Sequence, residues 1–381
     1  MGDVSLEAVR AEFPLLSTCT YLNSNSTGAF PRGMDGVLQR YGQTLHRWRD
    51  EAWEGWWGEW LGYMDAIARF IGAPDGSVVT DTNLTTLLGR LATCFDFGGA
   101  RNRVVLTDLE FPTVPFLWRG FGRYGAQTVV VPTENGRVDE ERLCAAIDER
   151  TLLVSISHAN FASGALVDLA AVVKRAHQVG AQVVADAYQS VGVVPLDMKA
   201  LNVDFLLGGA HKWMCGSIES AFLYVRPDLL PTLKPAATGW IAGENPLTFA
   251  PAKEWAPTAR RMASGTPAVL PSQLSRVGLD ILASVGMPTI RAHSLRLTRR
   301  VMERADEAGL TVVTPREDFR RAGIVALRFP GDVEVCKRLV ARGFVCSHRG
   351  ALRVAPHFYN TLQEVERFMD ALVEEARKEA R

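Results

Sequence analysis

Two polar motifs in the middle of the chain carry residue types suited to covalent and acid–base chemistry. The first is Ala-Asp-Ala-Tyr-Gln-Ser-Val-Gly at residues 185–192, and the second is Gly-Gly-Ala-His-Lys-Trp at residues 208–213. Asp186 ends one apolar run and Lys212 lies just beyond the next, so we expect both at the carboxyl ends of strands, where open α/β sheets bind ligands. Taken alone, Asp186 could instead cap a helix, and Lys212 could be a solvated loop lysine.

A third motif could bind an anion. Residues 80–86 read Thr-Asp-Thr-Asn-Leu-Thr-Thr and precede a helical run at residues 87–94. Hydroxyl and amide side chains at a helix start either cap the helix or, with free backbone N–H groups, bind a phosphate. Pyridoxal 5'-phosphate needs such a phosphate site together with a lysine and a carboxylate. The lysine forms a Schiff base with the aldehyde, and the carboxylate keeps the pyridine nitrogen protonated.

The sequence resembles the class V aminotransferase group of fold-type-I pyridoxal-phosphate enzymes, which contains cysteine desulfurases, kynureninases and isopenicillin N epimerase-like proteins. The likeness extends from Tyr-Leu-Asn-Ser-Asn-Ser-Thr-Gly at residues 21–28 to the C-terminal region and is closest over residues 155–215. Within it, His-Ala-Asn-Phe-Ala-Ser-Gly at residues 158–164 is similar to kynureninases in its spacing. The resemblance implies an α/β fold with a mostly parallel seven-stranded sheet and a smaller C-terminal α+β domain.

The resemblance also implies roles for individual residues. Lys212 would be the catalytic lysine, forming the Schiff base and moving a proton to and from the substrate carbon. The other cofactor-binding residues would be Asp186 at the pyridinium, Gln189 at the ring 3-hydroxyl or Schiff base with Asn160 nearby, Phe111 stacked on the ring, and Thr82, Asn83 and His211 at the phosphate. Without the resemblance, Phe111 is equally a candidate core residue.

The substrate site and the quaternary structure follow from the same resemblance. Arg353 would bind the substrate α-carboxylate, for which a bidentate guanidinium is a suitable partner, and Asn23 would contribute to the substrate site. From the sequence pattern alone, Arg353 would be a surface residue. Residues 264–266, with Thr266, would reach the phosphate of the neighbouring subunit, which implies a homodimer with shared active sites.

Three positions depart from the family pattern. Tyr188 stands where a small residue is common, and Glu219 lies in a stretch that replaces the usual glycine-rich segment after the lysine. Cys346 precedes Arg353 by only seven residues, whereas desulfurases carry their sulfur-accepting cysteine on a longer loop. This spacing weighs against desulfurase activity.

A cluster of aromatic residues near the N-terminus stays unassigned. It consists of Trp48, Trp53, Trp56, Trp57 and Trp60 on an amphipathic stretch. Packing or a dimer contact would explain it, and a wall of the substrate pocket is the alternative.

The rest of the sequence predicts the strands and helices that position these motifs. From about residue 77, helical stretches alternate with short β-branched runs at residues 77–80, 104–107, 128–131, 152–157, 182–186, 203–207 and 221–225. Such alternation predicts a mostly parallel sheet covered by helices on both faces. A Pro-, Gly- and Ala-rich connection at 233–266 follows, then helices at 272–286 and 288–308 and a small α+β region. We therefore expect an N-terminal arm at 1–20, a large cofactor-binding domain at 21–270, and a linking helix with a small domain at 271–381.

Composition excludes several classes of protein. The 381 residues include 42 Lys+Arg and 42 Asp+Glu, and 47% are hydrophobic, which argues against disorder and against partners bound by bulk charge, such as nucleic acid or anionic membranes. No apolar run approaches the roughly 20 residues of a membrane span, and Asp3 and Glu7 stand where a signal peptide would be basic. We expect a cytoplasmic protein. Neither the six cysteines nor the histidines have metal-ligand spacing, so no metal site is expected.

The leading hypothesis is a pyridoxal-phosphate enzyme that generates a carbanion at the α-carbon of an amino acid. Transamination, epimerisation and loss of a β-substituent, as in kynureninases or cysteine-type lyases, all stay open, with transamination or side-chain cleavage favoured. The alternatives from other classes are a non-catalytic regulatory protein that kept this fold and, less favoured, a metal-dependent hydrolase. The joint presence of Lys212, Asp186, Gln189 and Arg353 counts against the regulatory protein.

Overall fold

A computed structural model describes residues 5–49, 51–251 and 253–379. In chain order, the strands of these residues are β1 (Thr20–Tyr21), β2 (Val78–Asp81), β3 (Arg103–Thr107), β4 (Gln127–Val131), β5 (Thr151–Ser157), β6 (Gln182–Asp186), β7 (Phe205–Gly209), β8 (Ala221–Val225), β9 (Thr311–Val312), β10 (Val325–Arg328), β11 (Phe344–Val345), β12 (Ser347–His348) and β13 (Leu352–Val354). All seven strands expected between residues 77 and 225 are present, with ends shifted by at most two residues.

The α-helices of the described residues enclose these strands. They are α1 (Leu6–Arg10), α2 (Gly33–His46), α3 (Glu51–Phe70), α4 (Leu84–Ala92), α5 (Thr113–Phe121), α6 (Glu140–Ala145), α7 (Leu169–Gln178), α8 (Met198–Leu201), α9 (Val269–Val285), α10 (Met287–Glu307), α11 (Asp332–Ala341) and α12 (Leu362–Glu379). The two helices expected at 272–286 and 288–308 correspond to α9 and α10. Gly286 separates them at φ 83°, a backbone conformation that glycine adopts without steric cost.

The large sheet has seven strands in the order β2-β8-β7-β6-β5-β3-β4. Strands β4, β3, β5, β6 and β7 are mutually parallel, whereas β8 is antiparallel to both of its neighbours, β7 and β2. The predicted mostly parallel seven-stranded sheet is therefore confirmed. Because β6 and β7 are parallel neighbours, their carboxyl ends lie at the same edge of the sheet.

Burial along the strands follows their place in the sheet. Strands β7 and β8 are buried at every residue, as expected for strands covered on both faces, and α4 packs against both. The edge strand β4 differs, since only Val131 of its five residues is buried. The expectation of strands covered on both sides is thus wrong for this edge, where no further strand shields the ladder.

A second, antiparallel sheet in the order β12-β13-β10-β9 packs with α10, α11 and α12 and forms the predicted small α+β region. The expected single strand at 344–347 is divided into β11 and β12, because Val345 pairs with Tyr21 of β1 while Ser347 pairs with Arg353. The N-terminal chain is thereby attached to the C-terminal region through a separate two-stranded sheet, β1-β11. The boundaries at residues 20 and 270 stay predictions. No helix among the described residues has the length and apolar character of a membrane span.

Candidate active site

A cavity of about 350 Å³ opens at the carboxyl ends of β6 and β7. Its lining comes from both sheets and from the loops between them: Asn25, Ser26, Asn83, Leu84, Thr85, Phe111, Thr113, Ser157, Ala159, Phe161, Asp186, Tyr188, Gln189, His211, Lys212, Arg349 and Arg353. Seven of the predicted site residues meet here, namely Asn83, Phe111, Asp186, Gln189, His211, Lys212 and Arg353. These seven come from positions up to 270 residues apart in the chain.

Asp186 is the last residue of β6, and its side chain is buried at the floor of the cavity. The backbone N–H of Tyr188 donates to Oδ1 of Asp186 at 2.8 Å. Burial raises the pKa of the Asp186 carboxyl, against the opposing effects of that hydrogen bond and of Lys212. In the part of the chain that the structure describes, no cationic side chain lies within 4.0 Å of it. A cationic group that enters the cavity would find an uncompensated carboxylate there.

Lys212 lies three residues after β7, and its main chain is fixed by close contacts with Gly28. Gly28 N–H donates to the carbonyl of His211 at 2.7 Å, and a Cβ at Gly28 would lie 2.1 Å from the carbonyl oxygen of Lys212. Only glycine allows this close approach. The Nζ atom of Lys212 lies 5.1 Å from the ring centroid of Tyr188 and 5.7 Å from that of Phe111.

The environment of Lys212 favours the neutral form of its amine. Burial lowers its pKa to about 8, an effect that Asp186 opposes and Arg353 reinforces. At pH 7 about a tenth of such amines are unprotonated, whereas an ordinary lysine is unprotonated in well under one molecule in a thousand. A neutral amine is the form that attacks a carbonyl carbon.

The start of α4 supplies an anion site at the other side of the cavity. Asn83 is the N-cap, and its Oδ1 accepts from Thr86 N–H at 2.9 Å, so the capping interpretation of this motif is confirmed. The N–H groups of Leu84 and Thr85 precede the first intrahelical hydrogen bond, which runs from Leu87 to Asn83. Because both residues line the cavity, capping and anion binding are compatible here.

Arg353 brings a positive charge from the small sheet to the cavity. It is buried, and its Nη1 donates to the carbonyl of Phe161 at 2.7 Å while Nη2 donates to Oγ of Ser347 at 2.9 Å. The Nε atom is buried without a partner in the described residues, and no carboxylate of those residues forms an ion pair with it. Burial lowers the pKa of Arg353 to about 10, and Arg349 adds to this effect. The surface interpretation of Arg353 is therefore wrong.

Phe111, Gln189 and His211 complete the set of predicted residues in the cavity. Phe111 is 45% exposed, so it is not a core residue. The amide of Gln189 bridges two segments, donating to Asn25 O at 2.8 Å and accepting from Trp213 Nε1 at 2.9 Å. Burial lowers the pKa of His211 to about 4, which keeps its ring neutral at physiological pH.

Four predicted residues lie outside the cavity lining. Thr82 is exposed and donates to Asp81, and Thr266 is exposed in the connection before α9. Asn160 joins two loops through its amide, donating to Leu109 O in the loop after β3 and accepting from Ser163 N–H in its own loop, both at 2.9 Å. Asn23 pairs with Ala355, and its Oδ1 is buried without a partner among the residues that the structure describes.

Glu219 and the tryptophans also lie outside the lining. Trp48, Trp53 and Trp56 contact one another, and Trp60 Nε1 donates to Thr80 Oγ1 at 2.7 Å. These contacts favour the packing interpretation of the cluster over a substrate-pocket wall within this chain.

Several cavity residues were missed from the sequence. Asn25 has both polar side-chain atoms buried without a partner in the described residues, and Arg349 is a second guanidinium at the cavity. Glu110 lies behind the wall, where its carboxylate accepts from Ser157 N–H at 2.7 Å and burial raises its pKa to about 7. The position of Glu110 just after β3, at the same sheet edge as Asp186, was the available signal.

A mostly parallel sheet with a lysine, a carboxylate and a helix N-terminus around one cavity provides the groups that a covalently held phosphate cofactor needs. A family model described as aminotransferase class-V matches residues 63–368. The chain belongs to the aminotransferase class V family, and it is a pyridoxal-phosphate-dependent transferase or lyase. The resemblance stated from the sequence, including the fold class and the cofactor, is thereby confirmed.

Individual relatives extend over nearly the whole chain. An uncharacterized aminotransferase, YcbU of Bacillus subtilis, is 30% identical over 96% of this chain and 97% of its own length. Kynureninase of Pseudomonas fluorescens is 30% identical over 91% of this chain and 85% of its own. Among solved structures, an apo cysteine desulfurase from Thermococcus onnurineus superposes with a TM-score of 0.89 at 22% identity, covering 99% of this chain and all of that one. A mutant of C-DES with glycine covalently linked to the pyridoxal-phosphate cofactor gives a TM-score of 0.88 at 19% identity over 96% and 99% of the two chains.

Proposed function

We propose that this enzyme acts on an α-amino acid, removes the proton from its α-carbon and then either transaminates it or cleaves its side chain. The observation that carries the proposal is the Lys212 amine, with its pKa lowered to about 8, in the same cavity as a guanidinium without an anionic partner in the described residues, Arg353. The Lys212 amine suits proton transfer at a carbon atom. The Arg353 guanidinium suits binding of a carboxylate, and in an α-amino acid the carboxylate carbon is two bonds from the α-proton.

The residues present fit pyridoxal phosphate on the chemistry of the donor set. Asp186 is a buried carboxylate without a cation among the described residues, as a protonated pyridine nitrogen requires, and Leu84 and Thr85 offer N–H groups to a phosphate dianion. Lys212 would hold the aldehyde carbon and Phe111 would lie against the ring. When bound, the cofactor supplies an electron-accepting ring that stabilises negative charge on the substrate α-carbon.

Each residue then has a defined task. Arg353 orients the substrate by its α-carboxylate, and Lys212 takes the α-proton and returns it. Asp186 keeps its negative charge beside the ring nitrogen, and neutral His211 donates a hydrogen bond near Asn83 on the phosphate side. Gln189 keeps the loop around Asn25 in place through its two hydrogen bonds. Three predicted residues lie just outside the cavity lining. Thr82 would contact the phosphate, Asn160 would lie near Gln189, and Asn23 would contribute to the substrate site.

The position of Cys346 bears on which reaction follows proton removal. A sulfur-accepting cysteine must reach the substrate, but Cys346 is only 5% exposed and its Sγ faces Cys336 at 3.6 Å. This supports transamination or side-chain cleavage over desulfuration by a cysteine nucleophile. The kynureninase relative makes kynurenine the first side-chain-cleavage substrate to test.

Two further parts of the proposal concern assembly and location. We propose a homodimer in which Thr266 serves the neighbouring active site, because it is exposed and away from the cavity of its own chain. We also propose that the enzyme works in the cytoplasm, because its cysteines are free thiols, the state that a reducing compartment maintains.

The test begins with the cofactor and ends with products. The purified protein should absorb between about 410 and 430 nm, and borohydride reduction should fix the cofactor to the peptide that contains Lys212. The Lys212→Ala variant should lose both the adduct and turnover. A panel of amino acids that includes kynurenine and cysteine, followed by product analysis, then separates oxo-acid formation from side-chain release. A colourless protein with full turnover, or adduct formation at another lysine, would overturn the proposal.

A further inference from the structure

Two buried thiols lie side by side next to the small sheet. Cys336 is on α11 and Cys346 joins β11 to β12, and their Sγ atoms are 3.6 Å apart. Both are nearly enclosed, with 7% and 5% of their surface exposed. The proposed reaction uses neither of them.

We propose that Cys336 and Cys346 form an oxidative modification site, at which a peroxide converts the two thiols to a disulfide and thereby weakens the binding of the substrate carboxylate by Arg353. The formation of the disulfide is independent of the proposed function, whereas its consequence for the substrate rests on it.

The environment assigns different roles to the two thiols. The hydrogen bond from Cys346 lowers the pKa of Cys336, and the positive charge of Arg353 acts in the same direction, while burial and Asp332 oppose it. The pKa of Cys346 is raised, first by the same hydrogen bond and then by burial. Cys336 is therefore the thiolate that attacks the oxidant, and Cys346 is the thiol that resolves the product.

The chemistry balances with hydrogen peroxide as the only co-reactant. The Cys336 thiolate attacks one peroxide oxygen, the O–O bond breaks, and the sulfur becomes a sulfenic acid as hydroxide leaves. The sulfur of Cys346 then attacks that of Cys336, the S–O bond breaks, and water leaves with the thiol proton. Two thiols are oxidised and one peroxide is reduced to two waters. A dithiol such as dithiothreitol reverses the change by exchange.

The burial of the pair selects the oxidant. Hydrogen peroxide is close to water in size, whereas glutathione disulfide and most alkylating reagents need an open approach to sulfur. At 5% and 7% exposure, the pair should react with peroxide in the folded protein much faster than with larger reagents, so that reduction by dithiothreitol needs a longer incubation.

The consequence for Arg353 follows from the connection between them. Closing a disulfide brings the Sγ atoms from 3.6 Å to about 2.05 Å, so the two side chains turn toward each other and we expect the chain at Cys346 to shift with them. The next residue, Ser347, pairs with Arg353 in the sheet and accepts from its Nη2 at 2.9 Å. Displacing Ser347 removes one of two hydrogen bonds that orient the guanidinium.

The experiment oxidises the holoenzyme with hydrogen peroxide and follows mass and kinetics together. We expect a loss of two hydrogens, located by proteolysis in a linked pair of peptides, residues 329–337 and 343–349. With a substrate that the amino-acid panel identifies, KM should rise between about threefold and tenfold with little change in kcat, and dithiothreitol should restore it. The variants Cys336→Ala and Cys346→Ala should keep their KM after peroxide.

The matched control is Cys144→Ala, which removes a more accessible thiol on α6 and should respond as the unmodified enzyme does. Failure to form the linked peptides at a peroxide concentration that oxidises Cys144 would overturn the modification site. Linked peptides with an unchanged KM would overturn the coupling to Arg353. Because the peptides are detected without turnover, an enzyme that proves inactive on amino acids refutes the proposed function and leaves the disulfide result standing.

Discussion

Replacing Gly209 by alanine should damage the cofactor site through a single neighbour, Tyr188. An added Cβ at Gly209 would lie 2.0 Å from Cζ and 2.2 Å from Oη of Tyr188. Ordinary contact begins at 3.4 Å, so the ring would have to move by about 1.4 Å in a densely packed region. Gly209 is the last residue of β7 and has no positive φ, so the backbone itself accepts alanine. At Gly209, alanine is excluded by the Tyr188 ring, which occupies the position of a Cβ atom.

The displaced ring matters because Tyr188 is next to both Asp186 and Lys212. Its N–H donates to Asp186, and its ring lies 5.1 Å from Nζ of Lys212. Moving the ring away from β7 pushes it into the cavity that receives the cofactor. Overpacking of this kind costs about 1–3 kcal/mol, which corresponds to between about 5-fold and 150-fold weaker binding of pyridoxal phosphate.

A double-mutant cycle isolates this effect. Pyridoxal phosphate is titrated into cofactor-free Gly209→Ala, Tyr188→Ala and the double variant, and the adduct absorbance gives each dissociation constant. In the Tyr188→Ala background the three nearest atoms to the new Cβ are gone, so Gly209→Ala should then cost less than about 0.5 kcal/mol. Gly42→Ala is the control, since nothing lies within 4 Å of its Cβ. An equal cost of Gly209→Ala in both backgrounds would refute the reasoning.

Three further outcomes follow from the site. Arg353→Gln should lower kcat/KM about 100-fold or more with an unchanged cofactor spectrum, and Arg353→Lys should recover only part of it because lysine cannot bind a carboxylate in two places; an equal loss of colour would show a structural defect instead. Modification of Lys212 in the cofactor-free protein by a small amine-reactive reagent should rise with pH around a midpoint pKa of about 8, and a midpoint near that of free lysine would contradict the buried amine. Since burial raises the folded pKa of Glu110 from 4.5 to about 7, the folded state binds more protons between these values, and stability should fall as pH rises through this window. Denaturant titrations should show that Glu110→Gln removes this slope, which is on the order of 3 kcal/mol in total.

The large sheet could be read from the sequence because its strands are short, β-branched and apolar throughout, a pattern that follows directly from burial on both faces. Less could be foreseen where tertiary pairing decides the structure. The division of residues 344–347 into β11 and β12 depends on β1, which lies more than 320 residues earlier in the chain. No local pattern carries that information.

The same distinction holds for the site. Asp186, Lys212 and the start of α4 were accessible because a residue at a strand end has a position fixed by the sheet. Asn25, Arg349 and Phe161 were not, since they reach the cavity on loops whose paths depend on packing between the two sheets. The role of Asn160 stays a prediction, because its amide joins its own loop to the loop after β3 through Ser163 and Leu109 and lies outside the cavity lining.

The two cationic groups of the cavity are energetically linked, and this link gives substrate binding a chemical consequence. The positive charge of Arg353 is one of the causes that lower the pKa of Lys212, and no carboxylate of the described residues offsets that charge. A carboxylate bound to Arg353 cancels much of its field at Lys212, so the pKa of the amine rises and the amine becomes a stronger base. The increase comes only with a ligand that carries a carboxylate. If Arg353 and Lys212 have the roles proposed above, recognition of the amino acid and the basicity that removes its α-proton are coupled through one guanidinium.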